Sequence, residues 1–445
     1  MKKLMSMLFS GLLALSMAGG AVAAPPAPGT ALEINIYGAS AQYLFWNDLG
    51  DDWMKANALP GANCDDNTVF QGTKDSIHGV TWGYNCQNIN GTPDIVFRYT
   101  SKNSCGGLRA VACIADGDAC LNSCERTMMD EQTCPPGGGA CTGTKCIDVT
   151  HGAYDVEATS LVQSSSGEKK GRCGGGVISP GPCNAFPGGK TYQPTVVPFG
   201  FFLNNAVTQT LCTANPNPLQ IGQPCSGATC ANGSGTCGAP APVQDISRMT
   251  VAMIYAVQAF QWRDFGASFP ANLPIEACLR HAGSGTHATL DLAVMRGTGP
   301  LALNTFEIPG ASGYGLPNAT APASTYAQWF NEGSSDMMRC VNGNWWVSGS
   351  GTCSGSGQSL GAIGYADADQ TISAYSNVYG PVKYNGYKPL AQNIRWGLYD
   401  NFWSTQWIYE DCVNPQCQIG SCTAICQDAA AKLMAFAEQN IPSSK

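Results

Sequence analysis

The sequence predicts an α/β protein of two lobes joined by a hinge and carrying disulfide-rich loop insertions. Three observations lead there. A strand-like run, a small-residue turn and a helix-like run recur in that order. The 445 residues exceed one ordinary domain, and 14 of the 22 cysteines gather in stretches too poor in large apolar side chains to build cores of their own.

The first strand is Leu32-Glu33-Ile34-Asn35-Ile36-Tyr37, which alternates and then breaks at Gly38-Ala39-Ser40. Leu44, Phe45, Leu49 and Trp53 follow at helical spacing, which places Ser40 at the N-cap. Ile95-Val96-Phe97-Arg98-Tyr99 is the next strand, turning through Ser104-Cys105-Gly106-Gly107 into the helical run Leu108 to Ala112. A third loop, Gly152-Ala153-Tyr154-Asp155, differs by supplying a carboxylate.

Arg280-His281-Ala282-Gly283-Ser284-Gly285-Thr286 is the richest loop, and it leads into the helical run His287 to Met295. A helix start leaves about four N–H groups unpaired and carries roughly half a positive charge, so it receives anions. Ser284 and Thr286 add hydroxyls, Gly283 and Gly285 let the main chain come close, and Arg280 offers a planar two-pronged donor. An acid such as Asp155 beside a bound oxyanion makes sense only if that anion keeps a proton to share. His281 and His287 are expected to flank this loop at the surface. The closing stretch Asp428 to Gln439, with Ala430, Leu433, Met434, Phe436 and Ala437 on one face, reads as an amphipathic helix.

Met1-Lys2-Lys3, the apolar run Leu4 to Met17 and Ala21-Val22-Ala23 have the three regions of a secretory leader, with cleavage expected after Ala23. No cysteine lies near that point, so no lipid anchor is expected, and no later run of about 18 apolar residues would span a membrane. Losing Lys2 and Lys3 takes the formal charge from −8 to −10, which argues against nucleic acid or an anionic membrane as partner. The expected location is periplasmic or extracellular. All 22 cysteines follow the leader, an even count that points to disulfides. Fourteen of them cluster at Cys113 to Cys146, Cys212 to Cys237 and Cys412 to Cys426, and six cysteines alone permit 15 pairings, so connectivity stays open. Only four histidines exist and none adjoins a suitable cysteine pair, so neither a metal nor another cofactor is expected.

Other constellations fall short. Gly188-Gly189-Lys190-Thr191 imitates the end of a P-loop, yet Asn184 holds the first required glycine position. Ser284 with His281 or His287 could be drawn as nucleophile and base, but no Gly-x-Ser-x-Gly elbow accompanies it and a hydroxyl at a helix start is ordinarily a cap or donor. Trp345, Trp346, Trp396 and Trp403 could stack on a sugar, with packing or a lobe contact the expected use.

Taken in order, these segments resemble the phosphate-binding periplasmic receptors of ABC transporters, the PstS-like group with a type II periplasmic-binding-protein fold. Tyr37-Gly38-Ala39-Ser40, Ser104 to Arg109 and Gly152 to Asp155 are similar to its first three loops. Pro194 to Phe199 is similar to its crossing strand and Gln261 to Gly266 to its Asn-Trp-x-Asp segment. Arg280 to Thr286 resembles its Arg-x-x-Gly-Ser-Gly-Thr, and Gly361-Ala362-Ile363-Gly364-Tyr365 its late Gly-Ala-Ile-Gly-Tyr. The resemblance implies ligand contacts from Ser40, Ser104 and Asp155 in one lobe and from Arg280, Ser284, Gly285 and Thr286 in the other. The chain departs from the pattern where the family has Thr-Phe, leaving Ser40-Ala41 or Gln42-Tyr43 as readings, and at Cys105 and Tyr154.

The expected division is residues 1–23 as leader, then 24–202 completed by 393–445 as the first lobe, with a Cys-rich insertion at about 113–147. Residues 203–392 form the second lobe, with an insertion at about 212–238. The chain would cross the hinge near Val197 to Asn204 and near Gln392 to Gly397. The functional expectation is a non-catalytic receptor for inorganic phosphate or a similar protonated oxyanion, with an ABC permease as partner. The alternative is an extracellular interaction or assembly protein that reuses this fold, with its Cys-rich insertions as contact surface.

Overall fold

The computed structural model describes residues 24–440 except 66–67, 74, 76, 156–167, 170–176, 179–189, 215–221, 227–228, 231–234, 281–282, 297–326, 332, 344–345, 348–350, 353–359, 401 and 411–423. The leader, His281 and Trp345 lie outside the described residues, as does the pairing of the cluster Cys412 to Cys426.

The chain is a mixed α/β protein. Its first lobe is built on β1 (Leu32–Ala39), α1 (Tyr43–Lys55), β2 (Phe70–Thr73), β3 (His78–Gly83), β4 (Ile95–Lys102), α2 (Ser104–Val111), β5 (Glu125–Met129), β6 (Thr144–Asp148) and β7 (His151–Tyr154). β1 runs parallel to β4 on one side, Leu32 opposite Ile95, and to β7 on the other, Ile36 opposite His151.

A long strand β8 (Lys190–Asn204) then leads to a second lobe with α3 (Arg248–Tyr255), β9 (Glu276–Arg280), α4 (Gly285–Thr289), β10 (Ala327–Asn331), α5 (Ser334–Val341) and β11 (Ala362–Asp367). The pattern repeats here. β9 runs parallel to both β10 and β11, with Glu276 opposite Ala327 and Ala362. In each lobe the first strand is central and the chain visits one neighbour and then the other. Parallel strands so arranged open their following loops at one edge, where α/β folds bind ligands.

β8 serves both lobes. Its first part pairs antiparallel with β12 (Trp403–Glu410), from Lys190 opposite Glu410 to Pro198 opposite Trp403. Its last part pairs with β11, from Phe199 opposite Asp367 to Leu203 opposite Ile363. β12 in turn pairs with β7, so one hydrogen-bonded path runs through both halves. Residues Ala391–Arg395 form a short helix before the chain returns through Phe402, whose ring stacks on Phe201 at 4.8 Å between centroids.

Each lobe has its own core. In the first, Trp46, Leu49 and Trp53 of α1 and Leu433 and Met434 of the closing helix α6 (Ala424–Gln439) are buried together with Phe97 of β4. Burying each such side chain is worth on the order of 1.5–3 kcal/mol. In the second, Tyr255, Trp262, Leu279, Met338 and Tyr365 close around β9 and β11. Trp262 also donates from Nε1 to the Gly361 carbonyl at 2.9 Å, which ties the turn at Trp262–Phe265 to the start of β11.

Two expectations change. Ser40 does not cap α1: it begins a single 3-10 turn, Ser40–Gln42, and its hydroxyl is engaged elsewhere. Trp396 is not packed, being 70% exposed just after the short helix.

The disulfides resolve much of the cysteine pattern. The six cysteines from Cys113 to Cys146 pair among themselves as Cys113–Cys124, Cys120–Cys146 and Cys134–Cys141. The second cluster closes as Cys212–Cys230 and Cys225–Cys237. Cys64–Cys86 staples the first lobe and Cys278–Cys340 ties β9 to α5. Cys105, whose state the sequence left open, is disulfide-bonded as well. Two groups of side chains have metal-ligand proximity, Cys225 with Cys230 and Cys237, and Cys120 with Glu125 and Cys146, and every cysteine in them belongs to a disulfide. Among the described residues, no helix is long and apolar enough to cross a membrane.

Gly38 shows how tightly the first lobe holds its loops. Its φ is +139°, and a Cβ there would sit 2.2 Å from the Ala153 carbonyl oxygen and 2.9 Å from Gly107 Cα. Neither is a side-chain tip that can swing away. Gly38→Ala should therefore destabilise the protein by at least about 2 kcal/mol. Equilibrium unfolding in denaturant checks this, and a variant as stable as the parent would contradict the close packing of β1, α2 and β7.

Candidate functional site

Six loops meet where the parallel strands of the two lobes end. From the first lobe come Ser40 after β1, Ser104 at the start of α2 after β4, and Asp155 after β7. From the second come Arg280 with the Gly283–Thr286 turn after β9, Ser334 at the start of α5 after β10, and Asp367 at the end of β11. All of the side chains expected to contact a ligand are buried: Ser40, Ser104, Asp155, Arg280, Ser284 and Thr286, with Gly285 beside them.

Local structure explains the placement. Asn103 caps α2, its side-chain oxygen accepting from the Gly106 N–H at 2.7 Å, which leaves the Ser104 hydroxyl to face the other lobe. Ser284 caps α4 by accepting from the His287 N–H at 3.3 Å, so the next residue presents its own N–H outward. That residue has to be glycine. A Cβ on Gly285 would lie 2.5 Å from both the Asp155 Cβ and the Ser104 Oγ.

Across this contact the lobes satisfy one another. Gly285 N–H donates to Ser104 Oγ at 3.1 Å, and Asp155 N–H donates to the same oxygen at 3.2 Å. The Ser104 hydroxyl donates in turn to Asp155 Oδ2 at 3.2 Å, and Thr286 Oγ1 donates to that oxygen at 3.4 Å. Cys105 N–H reaches the Gly283 carbonyl at 3.0 Å. Asp155 is 1% exposed, and its Oδ1 receives no well-formed hydrogen bond from any described residue.

Arg280 organises the other side. Its Nη1 donates to Ser40 Oγ at 2.9 Å and, at the limit of bonding, to Ser334 Oγ at 3.5 Å. Ser334 donates to Asp367 Oδ1 at 2.9 Å. Arg280 N–H donates to the Tyr365 hydroxyl at 3.0 Å, and that hydroxyl lies 2.7 Å from His287 Nδ1. The phenol and the imidazole share one hydrogen bond whose direction the His287 tautomer sets.

Electrostatics follow from burial. The Asp155 carboxyl is pushed up from 3.8 to about 6 by desolvation, opposed by the Arg280 charge and by the nearby Ser104, Thr286 and Gln42 side chains. Asp367 is raised well above the carboxylate range by burial and then by its neighbour Asp369. Burial lowers Arg280, opposed by Tyr365, Asp155 and Asp367. A guanidinium stays protonated through such a shift, so among the described residues the site sets a fixed cation beside two acids that are reluctant to ionise.

Sequence reasoning missed Ser334, Asp367 and the linking role of Tyr365. It also misplaced His287, which is fully buried against Tyr365 rather than lying at the surface, because every residue of this short helix is enclosed. Of the two readings left open after β1, Ser40 meets Arg280, whereas Gln42 donates to the Tyr154 carbonyl at 3.1 Å and accepts from Trp46 Nε1 at 2.7 Å.

No family model and no curated protein matches the sequence. Among solved structures, the chain is similar to a candidate phosphate ABC transporter substrate-binding protein with bound phosphate from Clostridium perfringens, at 12% identity and a TM-score of 0.42, covering 91% of this chain and 92% of that one. It is similar to a phosphate-binding protein from Stenotrophomonas maltophilia at 13% identity and a TM-score of 0.38, covering 93% and 90%. A human phosphate-binding apolipoprotein matches at 10% identity and a TM-score of 0.37, covering 91% and 93%. Likenesses this distant carry no argument about function, and the two-lobed α/β reading rests on the strand order itself.

Asp155 gives a pH test. Its folded pKa lies above the ordinary value, so its contribution to stability is full below about 4 and is lost as pH rises through about 6. In phosphate-free buffer the parent should lose stability relative to Asp155→Asn between pH 4 and 6, by on the order of 3 kcal/mol. Denaturant unfolding across that range measures the difference. A gap that does not change with pH would show that Asp155 ionises as an exposed carboxyl does.

Proposed function

We propose that the chain is an exported, non-catalytic receptor that holds phosphate, or a related oxyanion keeping a proton, between its two lobes. Ser40, Ser104 and Asp155 would contact the anion from one side, and Arg280, Ser284, Gly285 and Thr286 from the other. One observation carries the reading: a buried guanidinium and a buried, hard-to-ionise carboxyl converge on the same loop cluster, and one carboxyl oxygen lacks a well-formed donor.

The chemistry is divided between them. Arg280 supplies countercharge and a forked donor, and the Gly285 N–H and Ser104 hydroxyl, which now bond each other, are donors an oxyanion would compete for. Asp155 supplies discrimination, because its Oδ1 can accept a proton that phosphate keeps and sulfate does not have. Facing sulfate, the carboxylate would meet a second anion out of water, at a cost of several kcal/mol. Because each lobe carries half the donors, the bound anion should favour the closed arrangement.

A binding role without catalysis is supported by the way Ser284 is used. Its hydroxyl accepts from the His287 backbone while the His287 ring faces Tyr365, so the pair is not arranged as nucleophile and base. Export is supported by the disulfides. Delivery of the anion to an ABC-type permease is the finer part of the proposal and rests on the motif order along the sequence.

Titration calorimetry tests the site. Arg280→Ala should weaken phosphate binding by more than about 2 kcal/mol, roughly thirtyfold, since a buried anion would lose its formal countercharge. Asp155→Asn should bind sulfate better than the parent does. An unchanged phosphate affinity in the first variant, or an unchanged phosphate-to-sulfate ratio in the second, would remove that residue from the proposed site.

A further inference from the structure

A cavity of about 470 Å³ opens between the lobes beside the site. Ser40 and Ser334 form part of its wall, and both also face Arg280 Nη1, at 2.9 and 3.5 Å. The cavity and the guanidinium therefore share a boundary one hydroxyl thick. Small-molecule sites run from roughly 300 to 1,000 Å³, whereas an anion of five heavy atoms uses only a small part of such a space.

The wall has a distinct chemistry. Both lobes contribute, with the hydroxyls of Ser101, Ser335 and Thr371 and the rings of Tyr43 and Tyr375. Its basic groups are already answered: Arg339 pairs with Asp336 at 3.2 Å and Lys102 with Asp118 at 3.1 Å, while Asp75 lies 3.0 Å from His78 Nδ1. Such a lining suits a neutral, hydroxylated group that exchanges hydrogen bonds and lies against aromatic rings. Leu44, Ile77 and Ala374 add apolar surface for the carbon face of such a group, a plain hydrocarbon would leave the hydroxyls unpaired, and the wall offers little uncommitted positive charge for a second phosphoryl group.

We propose that the ligand is a phosphate monoester of a sugar or polyol, with its phosphoryl group at Arg280 and Asp155 and its hydroxylated part in this cavity. The proposal rests on the oxyanion reading of the site and extends it. The ester oxygen would leave the phosphoryl group past Ser40 and Ser334, the two residues common to both compartments. Proton sharing is compatible with this ligand: a monoester's second ionisation falls near 6, close to that of the Asp155 carboxyl. One proton could then lie between the two at the same pH.

The test is calorimetric titration at pH 6 of the parent and two cavity-filling variants, Ala374→Trp and Thr371→Trp. Both positions are exposed at the cavity wall, so enlarging them leaves the cores untouched. The ligands are inorganic phosphate, glycerol 3-phosphate, ribose 5-phosphate and glucose 6-phosphate. At least one ester should bind the parent tenfold or more tighter than inorganic phosphate, and the variants should erase that advantage while keeping inorganic phosphate within about twofold. Phosphate binding tighter than all three esters would overturn the ester assignment and leave the oxyanion reading standing. So would an ester preference that survives in both variants. Binding of none of the four ligands would sink both readings together.

Discussion

A guanidinium taken out of water must be answered by oxygens or by negative charge, and the architecture around Arg280 answers it from two directions. Ser40 reaches it from one lobe, and Ser334, backed by Asp367, from its own. Asp155 and Asp367 both act on its charge, yet burial holds both carboxyls toward their neutral forms. An anionic guest that shares a proton with Asp155 would meet the guanidinium without placing two full negative charges face to face.

The repeated strand order makes that meeting possible. In each lobe a central first strand with parallel neighbours on both sides sends three loops to one edge, and β8, shared by both halves, holds the two edges opposite each other. The two halves even end alike, with an acid just after β7 and another at the last position of β11, Asp155 and Asp367. The disulfide-closed insertion after α2 is joined to this framework: its Gly139–Ala140 strand pairs with β2, and its Glu131 pairs with Arg98 of β4. The knot from Cys113 to Cys146 follows α2, and the hairpins closed by Cys212–Cys230 and Cys225–Cys237 follow β8. In the first of these segments cross-links add to packing, since Met128, Met129 and Ile147 are buried as well.

Much of this was legible in the sequence because it was written in local code. Alternation in Leu32 to Tyr37, the small-residue turn at Ser104 and the cap-and-glycine run at Ser284 to Thr286 each reflect neighbours close in the chain. The Gly333-Ser334-Ser335 turn carried the same signal, a strand ending in a small-residue helix start, and went unread between segments of weaker pattern. Asp367 could not be read locally, since only the equivalence of the two lobes marks the end of β11 as the counterpart of Asp155. His287 was misread because polarity suggested the surface, whereas the Tyr365 hydroxyl, 78 residues away, gives its ring a buried partner. The disulfide pairing needed three dimensions for the same reason.

The most direct measurement is a crystal structure of the protein grown with phosphate near pH 6. The expected result is a single tetrahedral guest touching the Arg280 guanidinium, the Gly285 N–H and Asp155 Oδ1, with both lobes closed on it. Phosphate found only on the surface, or a cleft in which Arg280 and Asp155 lie too far apart to touch one anion, would contradict the shared-guest arrangement.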